Sequence, residues 1–282
     1  TNHLGGQHEA DERRGGGDDV RPYDGLSPHP ELPRARIGAL YALDQGQRVV
    51  VVAPAAALIG LVLPAEVIRS GPELAAGQRL SPKALTVKLA ELGYLAVSKV
   101  EDPGTFAARG DVVDLWPVGM EDPLRIELFD DEIESLRRLG DRQKTAITSL
   151  RVLPAREEVL GQAAVDRAAR VLRELVGDRP EGAARRREVL EDLKAGIRFS
   201  GVDDYLPALA ELRSPLSAGQ GARKIILDPE ACVVAVERAL EQRRSRYEAL
   251  APNDRPLVPP SLRCAPAAAL LSELHAALQA NG

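Results

Sequence analysis

The chain has 282 residues, enough for two modest domains with real cores, and its composition (44% hydrophobic, 28% charged, 3% aromatic) is that of a soluble globular protein. A formal net charge of −5 argues against broad, non-specific attraction to nucleic acid, which needs a positive field, and leaves room only for local basic patches. The two cysteines, Cys232 and Cys264, lie far apart without a ligand pattern and fit a reducing cytoplasm better than a disulfide scaffold; no apolar run is long enough for a membrane span.

Residues 1–20 are polar, with Arg13-Arg14, a glycine run and Asp18-Asp19, and are expected to form a flexible leader because they can bury little surface. A Pro-rich loop follows, then a helix with Ile37, Leu40 and Tyr41 at helical spacing. His29 in that loop has no visible nucleophile partner and reads as structural. Residues 48–54 (RVVVVAP) are a continuous apolar run, the pattern of a strand covered on both faces in a parallel sheet. Residues 55–63 read as a short helix or buried segment. Residues 80–94 carry a full set of helix signals: Ser81 to cap, Pro82 at the first helical position, Leu85, Leu89 and Leu92 on one face, and Gly93 to end it.

The stretch 106–136 is the most informative. In 124–129, Leu124, Ile126 and Leu128 alternate with Arg125, Glu127 and Phe129, which predicts a half-buried strand with the first set facing a core. Alternate positions are about 7 Å apart, so an arginine, a glutamate and a phenylalanine crowd the outer face. Arg109 stands before another apolar run, 112–116, and Asp130-Asp131 permits a tight reversal into 133–139. An antiparallel meander presenting two arginines and an exposed aromatic results, with Trp116 expected in the core. Its outer face reads as a docking surface; the plainer reading is a solvated face.

Beyond 159, Val165, Ala168, Leu172 and Leu175 repeat at helical spacing, 177–182 reads as a loop, and Arg185–Arg187 as a solvated helix face. Residues 224–227 are predicted to be a short buried strand. Asp228-Pro229-Glu230 opens a helix on which Val233, Val236, Leu240, Tyr247 and Leu250 share a side, with Arg243, Arg244 and Arg246 opposite. Residues 252–260 look like a linker, and Leu270, Leu271, Leu274 and Leu278 like a closing helix.

Catalytic chemistry finds little support. No G-x-x-x-x-G-K-[ST] loop is present; 219–224 (GQGARK) has the wrong spacing, and Arg125 and Glu127 contradict a central strand ending in a magnesium-binding acidic pair. No His/Cys metal spacing or Ser/His/Asp set stands out. The chain alone is therefore not expected to be an enzyme, and no cofactor or metal is assigned.

ARGDVVDLWP followed by LRIELFDDEIESLR resembles the second domain shared by bacterial transcription-repair-coupling factors and the excision-repair helicase UvrB. The arginine of that family's first element matches Arg109, and the arginine, acidic residue and phenylalanine of its second match Arg125, Glu127 and Phe129. PYDGLSPH, VLPAREEVL and GVDDYLP extend the resemblance, and the first of these is closer to the coupling factors. The resemblance implies a degenerate nucleotide-binding-like α/β domain in two pieces, 21–78 and 158–282, around an inserted small α+β domain at 79–157 that binds the damage-recognition ATPase UvrA. The family's earlier part of the first piece does not recognisably appear before Arg21. Also implied are a cytoplasmic role in transcription-coupled nucleotide excision repair, intramolecular contact with a motor region, and RNA polymerase and DNA engaged only through downstream domains. The alternatives are a fragment of an ATP-dependent DNA translocase, or a DNA-binding module using Arg185–Arg187 and Arg243–Arg246.

Overall fold

The computed structural model describes residues 23–140, 146–176, 180–219, 221–250, 258–266 and 268–272. The expected leader, Leu274 and Leu278 of the expected closing helix, and residues 252–257 of the expected linker lie outside these.

Helix α1 (Glu31–Asp44) buries Ile37 and Leu40, and Tyr41 packs partly buried against the same core. The apolar run after it does not become a strand. Residues 48–54 are extended but form no ladder, and Val50 and Val52 are 91% and 90% exposed. The expectation of a parallel-sheet strand fails here because no described segment lies alongside to take up its backbone hydrogen bonds. A 3-10 turn over Ala55–Ile59 and the short α2 (Ala65–Ile68) lead to β1 (Glu73–Ala75).

Helix α3 (Pro82–Glu91) forms as its signals require: the Ser81 hydroxyl accepts the Ala84 N–H at 3.2 Å, and Leu85, Leu89 and Leu92 are fully buried. The chain then runs through β2 (Leu95–Ala96), β3 (Thr105–Arg109), β4 (Val112–Leu115), β5 (Leu124–Phe129) and β6 (Glu132–Arg138). These five strands form one sheet in sequence order, with β2 parallel to β3 and the rest an antiparallel meander. β7 (Ser149–Arg151) pairs antiparallel with β1, joining entry to exit. Leu124, Ile126 and Leu128 are buried while Arg125, Glu127 and Phe129 are not, as the period of two demands. Trp116 departs from its expected core place: it is half-buried, its indole N–H donating to the Met120 carbonyl at 3.1 Å. The polar ring edge needs an acceptor, and the turn at the sheet's rim supplies it.

The core under this sheet does not stop at the sheet. Leu85, Leu115, Ile126 and Val152 belong to the same cluster as Ile37, Leu63, Ile68 and Leu206. The seam is closed by backbone approaches that need glycine. A Cβ on Gly71 would lie 1.9 Å from the Val152 carbonyl oxygen, and Gly93 (φ +88°) would meet Arg156 at 2.8 Å. Across the seam Arg36 grips Glu157 at 2.8 and 2.7 Å, and Arg198 donates to the carbonyls of Ala90, Glu91 and Glu158.

Helices α4 (Gln162–Val176) and α5 (Pro180–Lys194) pack through Val165, Ala168, Leu172, Val189 and Leu193. Helix therefore already occupies 180–182, the last part of the expected loop, and 177–179 lie outside the described residues. A 3-10 turn over Val202–Tyr205, α6 (Leu206–Leu209) and a 3-10 turn over Pro215–Ser217 follow. The expected strand at 224–227 is also absent: Ile225 and Leu227 are 70% and 80% exposed, and only Ile226 packs inward. Helix α7 (Pro229–Leu250) starts as read, with Asp228 Oδ1 accepting the Ala231 N–H at 3.2 Å. Its arginine face is not uniformly wet. Arg244 pairs with Glu248 in solvent at 2.9 Å, but Arg246 binds Asp24 in a half-buried contact. The short α8 (Pro260–Arg263) follows, and Leu270 is buried with Ile59 and Val236.

Candidate partner-binding face

The outer side of the five-stranded sheet takes its shape from register. The β3–β4 turn at Gly110 (φ +59°) sets Arg109 opposite Val112, Val112 lies opposite Glu127, and Glu127 opposite Ser135. In the neighbouring row Asp114, Arg125 and Arg137 lie side by side. All four residues singled out from sequence, Arg109, Arg125, Glu127 and Phe129, therefore share one face. Phe129 ends β5 beside the turn at Asp130 (φ +52°) and is 73% exposed, the only exposed aromatic among the described residues.

The charges are more tightly committed than the sequence suggests. Arg125 makes a bidentate pair with Asp114, Nε to Oδ1 at 2.7 Å and Nη2 to Oδ2 at 2.8 Å. That contact raises the guanidinium's pKa and occupies one whole edge of its fork. Glu127 accepts from Arg137 and from the Ser135 hydroxyl, the latter at 2.7 Å, and not from its strand neighbour Arg125. Both hydrogen bonds hold the Glu127 carboxyl below its ordinary pKa, the arginine contributing most. The physical reason is the like-charged register of Arg125 opposite Arg137, which each arginine escapes by taking a carboxylate on a different strand.

Arg109 differs from the other two. Its guanidinium donates to the Ser98 carbonyl and has no carboxylate partner among the described residues. Arg109 and Phe129 stand two strand spacings, about 10 Å, apart across the sheet. The face thus offers one guanidinium without a carboxylate partner, one bare aromatic ring and, in the row next to Arg109 and away from Phe129, charges neutralised in two ion pairs. Asp114 and Arg137 are the residues that sequence reasoning missed. An acid interrupting the apolar run 112–116 at an outward position was the available signal. Among the described residues no helix is long and apolar enough to cross a membrane, and no three His, Cys, Asp or Glu side chains gather to hold a metal ion.

Residues 73–157, which begin at β1 and end just past β7, match the family model described as the UvrB interaction domain. A UvrB interaction domain is therefore present in this chain, carrying the face just described. Over most of its length the chain is similar to transcription-repair-coupling factors: 31% identity to that of Escherichia coli (strain K12) over 245 residues, 85% of this chain and 21% of the relative. The Bacillus subtilis (strain 168) coupling factor is 36% identical over 135 residues, 46% of this chain and 12% of the relative. UvrABC system protein B of Thermotoga petrophila is 28% identical over 163 residues, 57% of this chain and 24% of the relative. The chain spans about a fifth of the length of the curated coupling factors with which it aligns most fully.

Proposed function

We propose that this chain is the UvrA-recruiting module of a transcription-repair-coupling factor, acting in cytoplasmic, transcription-coupled nucleotide excision repair. The observation that carries the reading is Phe129: a bare phenylalanine on an otherwise charge-paired strand, on the same face as Arg109, which has no carboxylate partner among the described residues, within a domain matched to a UvrB interaction family. Large rings and guanidinium groups dominate the binding energy of protein interfaces, and a ring left in water is a standing cost that a partner's apolar recess removes. In this reading Arg109 takes a carboxylate of UvrA, and Arg125 adds its remaining donors while Asp114 holds its plane. The insertion 79–157 is carried between two flanking pieces, 21–78 and 158–282, whose described residues are helices, turns and loops apart from β1 and form no nucleotide-binding-like sheet. Contacts with a motor region, and through downstream domains with RNA polymerase and DNA, belong to the longer protein.

The test is titration calorimetry with UvrA. Phe129→Ala and Arg109→Ala should each weaken binding by about 30-fold, corresponding to about 2 kcal/mol. Neither should shift the thermal melt, since neither side chain is part of the core. Arg125→Ala is the poorer probe because it strands the covered Asp114; Asp114→Ala/Arg125→Ala removes both partners and isolates the binding effect. Normal melts with undiminished UvrA affinity in the Phe129 and Arg109 variants would mean that this face is only a wet surface.

A further inference from the structure

Four cationic side chains line one groove between α4 and α5, in a chain whose net charge is −5. On α5, residues 183, 186, 187, 190, 191 and 194 recur every three or four positions and so form one stripe, which faces Ala169 and Arg173 of α4 across an open groove of about 210 Å³. Ala169, Ala183 and Leu190 form its floor. Its walls carry Arg173, Arg186, Arg187 and Lys194 against a single carboxylate, Glu191. None of the four cations has an ion-pair partner among the described residues, and the neighbouring Glu188 is taken by Arg185 at 2.7 Å, outside the groove. A solvated helix face spreads like charges apart. Here two helices bring them together over a cleft whose described lining holds one carboxylate for four cations.

We propose that this groove binds the phosphodiester backbone of duplex nucleic acid. Arg187 and Lys194 are seven residues apart, about 10 Å along the helix axis, so the stripe can meet more than one phosphate of a duplex strand. Guanidinium groups grip phosphate oxygens bidentately. The small apolar floor lets a backbone approach closely. No aromatic side chain lines the groove, so it offers no platform for stacking unpaired bases, and double-stranded nucleic acid is favoured over single-stranded. The contact is independent of the UvrA face, which lies on the five-stranded sheet.

Fluorescence anisotropy of the full chain with a labelled duplex of about 20 base pairs, titrated between about 50 and 200 mM salt, tests the proposal. Four phosphate contacts should give a log–log salt slope near −3.5, so that each doubling of salt weakens binding by about tenfold. Arg173→Glu/Arg187→Glu should weaken binding by about 30-fold or more at low salt and roughly halve the slope. The gentler Arg173→Gln/Arg187→Gln should lose about tenfold, and serves if the charge reversal perturbs the hairpin. Arg238→Glu on the exposed side of α7 and Phe129→Ala should leave duplex binding unchanged. Absence of duplex binding at low salt, groove variants that bind as the parent does, or displacement of the duplex by poly-glutamate at equal charge concentration would each overturn the proposal. The last result would identify a ligand of the carboxylate class instead.

Discussion

The five-stranded domain and the apolar runs at 48–54 and 224–227 use the same valines, isoleucines and leucines, yet their side chains meet opposite fates. Along β5 of the meander every second residue is buried, and each strand from β3 to β6 pairs with the strand next to it in sequence. In the two runs, Val50, Val52, Ile225 and Leu227 stand in solvent beside backbone that joins no ladder. The difference is one of connectivity. An antiparallel hairpin brings its own hydrogen-bonding partner, whereas an uninterrupted apolar run of the parallel type depends on strands delivered from distant sequence. Hydrophobic composition alone therefore does not place a segment inside.

The comparison can be broken most forcefully at Ile126. This side chain is fully buried between β5 and its neighbours, so Ile126→Ala removes buried methyl and methylene groups and leaves a cavity. The expected cost is about 3–4 kcal/mol by urea denaturation. Because the cluster runs on through Val152 to Ile37 and Leu63, the loss should appear as one shifted transition of the whole core rather than local fraying of the sheet. Separate transitions for 73–157 and the remainder would show instead that the seam is thermodynamically open.

Much of this arrangement was legible beforehand, and where it was not, the missing information was spatial. Ser81, Pro82 and the Leu85, Leu89 and Leu92 face specified α3 because cap, start and periodicity are all local. The inward set Leu124, Ile126 and Leu128 fixes Arg125, Glu127 and Phe129 as the outward set by alternation alone, whereas the place of Arg109 beside them rests on the register of β3, β4 and β5. Which carboxylate each arginine takes depends on register across three strands. Asp114 and Arg137, as partners of Arg125 and Glu127, are therefore not legible from the strand sequence alone. The runs at 48–54 and 224–227 were misread because burial was inferred from hydropathy without a partner strand to impose it. The groove of α4 and α5 was visible only as a charge run, since nothing in Arg185–Arg187 says that Arg173 and Lys194 lie beside it.

A second, somewhat smaller effect is expected at the seam between the five-stranded domain and the flanking helices. Glu158 is buried, and loss of solvation, with Glu157 and Asp203 adding repulsion, lifts its carboxyl to about 7. The folded state therefore holds this proton more tightly than the unfolded chain does. Stability from this group is complete below the unfolded carboxylate pKa, declines as pH rises toward 7, and stays reduced above it. Glu158→Gln should stabilise the protein by about 2–3 kcal/mol at pH 8, and by less than about 1 kcal/mol at pH 5. Thermal melts at the two values check both halves. An equal gain at both pH values would mean that the carboxylate is not the cause.

The smallest expected effect is the most diagnostic for the comparison, because it concerns a residue that hydropathy would place deepest. Val52 sits mid-run between Val51 and Ala53 and is almost wholly exposed, so its side chain contributes little burial energy to the fold. Val52→Asp should accordingly change the unfolding free energy by no more than about 0.5 kcal/mol, with an unchanged urea m-value. The same substitution in a covered strand would force a carboxylate into an apolar layer. It would then cost several kcal/mol or drive the group to protonate, with stability recovering as the pH falls. Paired urea titrations at pH 8 and pH 5 separate the two cases: a large, pH-dependent loss would place residues 48–54 inside a sheet in solution, while a flat, negligible response would leave the run in water, where alternate valines already point.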